Sequence, residues 1–140
     1  MDIRLLNYSA GPFVGDQALW NKLENKEDMN VNVVSRLRYT PGVDVFGLQF
    51  DFIISHDNCQ IIKTGYLFGM EIARLADYVD DRLTSEINKK NIAEIVKFIW
   101  PYVVGAFAAR CADNSIQMIL PNIDFVKFAD EVMLVPADNK

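Results

Sequence analysis

The sequence predicts an α+β fold, a four-stranded antiparallel sheet with a long helix packed on one of its faces. Residues 31–70 contain three runs in which large apolar side chains take every second position, the period of a half-buried strand. Thr40-Pro41-Gly42 and His56-Asp57-Asn58 separate those runs with residues that turn a chain back on itself. From residue 91 the apolar spacing changes to three and four, the stripe of a helix that covers a sheet. With 140 residues, 51% of them hydrophobic, the chain is expected to form one domain, 1–140, with a core and some apolar surface left over.

Residues 3–9 read as the first strand, with Ile3, Leu5 and Asn7 on one side and Arg4, Leu6 and Tyr8 on the other, ending at Gly11-Pro12. Residues 16–26 are polar with Leu19, Trp20 and Leu23 at helical spacing, and are taken as a loop, a short helical turn being the alternative. The second strand, 31–39, places Val31, Val33, Leu37 and Tyr39 on one face and Asn32, Arg36 and Arg38 on the other. The third, 46–54, is the strongest: Phe46, Leu48, Phe50, Phe52 and Ile54 alternate with Gly47, Gln49 and Asp51. The fourth, 62–70, sets Ile62, Thr64, Tyr66, Phe68 and Met70 against Lys63 and Gly65.

After Glu71, the spacing of Ile72, Leu75, Ala76 and Val79 predicts a helix that weakens at Asp80-Asp81. A second, long helix is predicted from Asn91, with Ile92, Ile95, Val96, Ile99, Val103 and Ala106 or Phe107 as its stripe and Asn91 with Glu94 as an approximate capping box. Pro101 lacks an amide donor and clashes with the preceding turn, so it kinks this helix or begins a new segment. Asp113-Asn114-Ser115 ends it, residues 116–120 are extended, and Phe125, Phe128, Ala129 and Val132 space a final short helix before a fraying tail at 136–140.

A net charge of −5 and a pI near 4.8 argue against nucleic acid, whose binding needs clustered Lys and Arg. Met1-Asp2-Ile3-Arg4 opens no signal sequence, so the chain is expected in the cytoplasm. Its longest apolar runs, such as residues 103–109, fall well short of the ~20 residues of a membrane span, and no membrane insertion is expected. Cys59 and Cys111 are read as free thiols. His56 is the only histidine, and with no zinc-like spacing neither a metal nor another cofactor is expected.

Several constellations could carry chemistry. His56 beside Asp57 has the composition of a general base held by a carboxylate, but no motif places a nucleophile there, and a solvated turn explains it. Asp77, Asp80 and Asp81 lack the spacing and glycine of a calcium loop and read as a solvated helix end. Arg36, Arg38 and Lys63 make a basic strip on the outer sheet face that could meet an acidic partner, with pairing to Asp51 or plain solvation as the simpler account. No Gly-rich phosphate loop, Gly-x-Ser-x-Gly elbow or paired-Cys motif occurs.

Three elements remain. Gly65-Tyr66-Leu67-Phe68 closes the last strand, Trp100-Pro101-Tyr102 lies in the long helix, and Leu120-Pro121-Asn122-Ile123-Asp124-Phe125 follows it. In order and approximate spacing they resemble the Gly-Gly-Ile-Phe, Phe-Pro-Tyr and Leu-Pro-Ile-Asn-Phe elements of the SecB export-chaperone family, a likeness that runs from Ile3 to Phe128. The resemblance implies an ATP-independent holdase that binds unfolded or precursor proteins through exposed apolar grooves, works as a homotetramer built as a dimer of dimers, and contacts clients through Phe68, Trp100, Tyr102, Leu120 and Phe125.

The chain departs from that pattern in three places. The segment between Phe68 and Trp100 is longer than in typical members, and the tail is short. Near Ala10, Val14 and Ile61 it carries apolar residues where members dock the SecA ATPase with acidic ones. The resemblance therefore leaves SecA open as a partner, and a chaperone dedicated to a single client such as an antitoxin fits the departures better. Two other classes compete: a hotdog-type thioesterase with Glu71 or Asp77 as base, against which the helix follows the strands, and a structural or adaptor oligomer whose aromatic surface is filled by another copy.

Overall fold

The computed structural model describes residues 1–24, 26, 29–79 and 86–136, with the backbone alone for Glu86 and Ile87. Its centre is a meander of β3 (Asn30–Tyr39), β4 (Val45–His56) and β5 (Cys59–Ile72), paired antiparallel in the register the alternation demands: Leu37 opposite Leu48, Leu48 opposite Phe68, Phe50 opposite Tyr66. The β3–β4 turn works through Pro41 and Gly42, whose φ of 82° only glycine adopts freely, and the Val43 N–H donates to the Thr40 carbonyl at 3.0 Å. Asp57 and Asn58, at φ 48° and 64°, make the two-residue β4–β5 turn whose twist matches that of the strands.

The sheet has six strands and is mixed, which corrects the expectation of four antiparallel ones. Its order is β1-β5-β4-β3-β6, where β1 is Ile3–Ala10 and β6 is Met133–Pro136; β2 (Val14–Gly15) prolongs the β1 edge along β5. β6 runs parallel to β3, Arg36 opposite Met133 and Tyr39 opposite Pro136. The two extra strands span two and four residues, too few to show a period, and β6 finds its partner about a hundred residues away. In β1 a bulge between Leu5 and Asn7 reverses the alternation, so Tyr8 and not Asn7 joins Leu5 on the core side and stacks on Phe68 with ring centroids 5.7 Å apart.

The helices differ from expectation at their ends. Residues 16–26 contain a true helix, α1 (Gln17–Lys22), because the Asp16 carboxylate accepts the Leu19 N–H at 2.9 Å. The helix expected at 72–79 is instead the end of β5 followed by a 3-10 turn, Leu75–Asp77. Asp44 enforces this: its carbonyl accepts the Ile72 N–H, its side chain accepts the Leu75 N–H, and Arg74 turns left-handed at φ 62°. Ile72, Leu75 and Val79 still reach the core, so their spacing reflects burial without a helix. Asp80 and Asp81 lie outside the described residues.

The long helix α2 (Glu86–Asp113) starts a turn before Asn91, which is no cap: its amide Nδ2 donates to the Tyr78 carbonyl at 2.9 Å and ties the helix to the β5 exit. Pro101 neither ends the helix nor starts a new one; it sits on an exposed side, and Lys97, whose carbonyl it leaves without a donor, is exposed as well. The helix ends at Asp113, with Ser115 left-handed at φ 60° and the Ile116 N–H returning to the Cys111 carbonyl at 2.9 Å. α3 (Phe125–Glu131) matches its spacing and is capped by Asp124, which accepts from the Val126 and Lys127 N–H groups.

α2 lies across the even-numbered face of β4 and β5. Ile92, Ile95, Val96, Ile99, Val103 and Phe107 are all buried against it. Phe50 is the hub, with ring centroids 6.0–6.3 Å from those of Phe52, Phe68, Trp100 and Phe128.

Candidate functional site

Of the five residues expected to meet a client, the fold puts three in the core. Phe68 is 1% exposed, Trp100 5% and Leu120 4%. Phe68 and Trp100 come together around Phe50, and the Trp100 indole N–H meets no acceptor among the described residues, so this side chain contributes through packing alone. Tyr102 is 51% exposed and lies with its ring tilted against that of Phe98, centroids 6.0 Å apart; Phe125 is half-buried at the start of α3. The accessible members of the set are thus on the helices.

They belong to a wider surface. Between Phe98 and Ala109 α2 carries no charged residue, although only one side of it covers the sheet. On the other side Pro101, Tyr102, Gly105 and Ala109 are exposed, and a side chain added at Gly105 would meet nothing within 4 Å. A helix apolar all round is normally buried all round. By length and composition residues Asn88–Asp113 could also cross a membrane, yet the stripe that meets the sheet is that of a core helix. Ile119, 74% exposed, and Val126 add apolar surface in and beside the segment that follows α2. Composition hid this face: the absence of charge over twelve helical residues was visible, but which side the sheet leaves open was not.

The candidate chemical groups are dispersed. His56 Nδ1 lies 3.5 Å from Asp57 Oδ2 at the tip of the β4–β5 hairpin. Glu71 pairs with Arg4 at 3.5 Å and Asp77 with Arg74 at 2.9 Å, both at the surface. Among the described residues no three His, Cys, Asp or Glu side chains come together as a metal site would require. Burial pushes the Cys111 thiol from its ordinary value of 9 up to about 11, and burial, with the nearby Cys111, raises the Tyr66 phenol from 10 to about 12 while its hydroxyl donates to the Ala106 carbonyl.

Both groups are neutral in the fold and ionise more readily when unfolded. Their contribution to stability is therefore expected to be level below about pH 9 and to fall between about pH 9 and 12, on the order of 2 kcal/mol for each group, as the unfolded chain ionises first. Urea titrations across that range read the loss. At pH 8 exposed Cys59 is expected to react with Ellman's reagent at once and buried Cys111 only after denaturation, so the native protein titrates one thiol and the unfolded protein two.

The fold that carries these surfaces is α+β, a mixed six-stranded sheet under one long helix. No protein-family profile matches the sequence, and no curated protein is similar to it in sequence. Among solved structures the chain is similar to a SecB-like chaperone of Mycobacterium tuberculosis in complex with a ChAD peptide from the HigA1 antitoxin, at 11% identity and a TM-score of 0.49 over 89% of this chain and 88% of that one. The likeness is one of outline and assigns no residue a role.

Proposed function

We propose that this chain is an ATP-independent holdase of the cytoplasm that folds as one domain, assembles into a homotetramer and binds unfolded polypeptides without making or breaking bonds. The observation that carries the reading is the uncharged, open side of α2, with Tyr102 at its centre. Burying such a surface against another chain is favourable by about 25 cal/mol per Å2 of apolar area, and repeated weak contacts over an oligomer give avidity without sequence specificity. Part of the face serves assembly, and the part around Tyr102 serves clients. The sequence resemblance to the SecB family supports the same reading.

An enzymatic role is disfavoured by the placement of Glu71 and Asp77, each held by an arginine outside any enclosed pocket. Ala10 and Val14 are exposed and apolar and Ile61 is buried, so nothing at those positions supplies acidic groups for SecA. A dedicated client suits the chain better than handover to the export motor.

The test is suppression of aggregation of several chemically denatured proteins, at stoichiometric amounts and without nucleotide. Tyr102→Asp is expected to lower suppression several-fold while changing unfolding stability by no more than about 1 kcal/mol, because the ring is half in water. Wild-type protein that slows no aggregation would remove the proposal.

A further inference from the structure

The sheet face turned away from α2 carries a second surface. Its floor is Gly65, over which the Asp51 carboxylate leans so closely that a Cβ there would lie 2.6 Å from Oδ1. Around it Val14, Val34, Ile53 and Leu67, all at least one-third exposed, border an open depression of about 610 Å3, with Lys63 at its rim. The loop at Gly11-Pro12 walls one side, where β1 gives way to β2 and the Gly11 N–H keeps its bond to the Gly65 carbonyl.

The charge on this face runs against that of the chain. Arg4, Arg36, Arg38 and Lys63 stand on it with Asp51 and Glu71, an excess of two positive charges on a protein of net charge −5. Asp51 is used internally: it accepts from Arg36 Nη1 at 3.0 Å and Gln49 Nε2 at 2.8 Å. Among the described residues Arg38 donates to the Gln49 side chain, at 3.0 Å, and neither it nor Lys63 pairs with a carboxylate. Lys63 at the rim of the depression and Arg38 farther along β3, opposite Gly47, thus offer spare donors on either side of a shallow apolar bed.

We infer that the outer sheet face is a docking site for an acidic, extended segment of a partner protein that carries aliphatic side chains. Arg38 and Lys63 meet its carboxylates, and an alternate apolar side chain lies over Gly65 between Ile53 and Leu67. A nucleic acid suits the face less well. Two surplus charges release few counterions, and the aromatic residues that border the depression, Phe52 and Tyr66, are buried in the core and offer bases no ring to stack on. The site is on the opposite side of the sheet from α2 and does not depend on client binding there.

The probe is a fluorescein-labelled twelve-residue peptide alternating Glu with Leu, read by anisotropy with the full chain at low and physiological salt. A Lys-for-Glu peptide and a single-stranded RNA of equal charge run alongside. The expected result is salt-sensitive binding of the acidic peptide only, weakened at least tenfold by R38E/K63E and by Leu67→Ser, and unchanged by Tyr102→Ala. The substituted residues are exposed, and thermal melts establish that each variant folds. Failure of the acidic peptide to bind, binding of it that survives R38E/K63E, or equal binding of the RNA would each overturn the inference. So would self-association that R38E/K63E abolishes, which would assign the face to a second copy. The Tyr102→Ala arm keeps failure here distinct from failure of the holdase reading.

Discussion

Replacing Phe50 by alanine is expected to destabilise the protein by about 3–5 kcal/mol, enough to leave a substantial unfolded fraction of a domain of ordinary stability. Phe50 is fully buried and touches the sheet, α2 and α3 at once: Phe52 and Phe68 beside it, Trp100 above it, and Phe128 from the last helix. These rings belong to elements on three sides of the site and cannot all collapse into the space left behind. Urea unfolding followed by tryptophan fluorescence measures the loss directly, since Trp100 is 6.1 Å away. A cost near 1 kcal/mol would mean that the aromatic cluster is loosely packed.

Gly105→Lys is expected to have the opposite profile. In the folded monomer the new side chain points into open space, and replacing a mid-helix glycine adds up to about 1 kcal/mol of helix stability. In an assembly built on the open face of α2 the same lysine is driven into an apolar contact, where an unpaired charge costs several kcal/mol. Association should weaken by at least about 100-fold, equivalent to about 2.7 kcal/mol, while the melting temperature of the separated protomer holds or rises. Sedimentation equilibrium of wild type and variant distinguishes this from simple unfolding, in which both properties would fall together.

The central meander was legible because β4 declares itself: five large apolar residues at alternate positions specify face, partner and register together. α3 was legible for a similar reason, a short stripe of apolar residues at helical spacing. What escaped was decided by tertiary partners. Asn91 resembles a cap until the Tyr78 carbonyl takes its amide, and Ile72 to Val79 resemble a helix until Asp44 draws two of the backbone N–H groups to itself. Tyr8 changed sides through a bulge that leaves no trace in periodicity, and β6 owes its existence to a neighbour far along the chain.

The site was legible in part and for the same reasons. Aromatics on either side of proline drew attention to Trp100 and Tyr102 together, yet helical residues two positions apart point about 200° apart. One turned into the core and the other into water. Phe68 and Leu120 were taken by packing that their hydrophobicity serves equally well. The basic strip of Arg36, Arg38 and Lys63 was visible from strand parity, but its glycine floor and its surplus of charge needed the register of β3, β4 and β5.

The most direct measurement is size-exclusion chromatography with light scattering, run on the protein alone and then with a chemically unfolded, fluorescently labelled polypeptide. The account predicts a tetramer that carries the unfolded chain with it and ignores the native form of the same protein. A monomer at tens of micromolar that leaves unfolded chains to aggregate would contradict it, because the open face of α2 would then have neither a copy of itself nor a client to cover it.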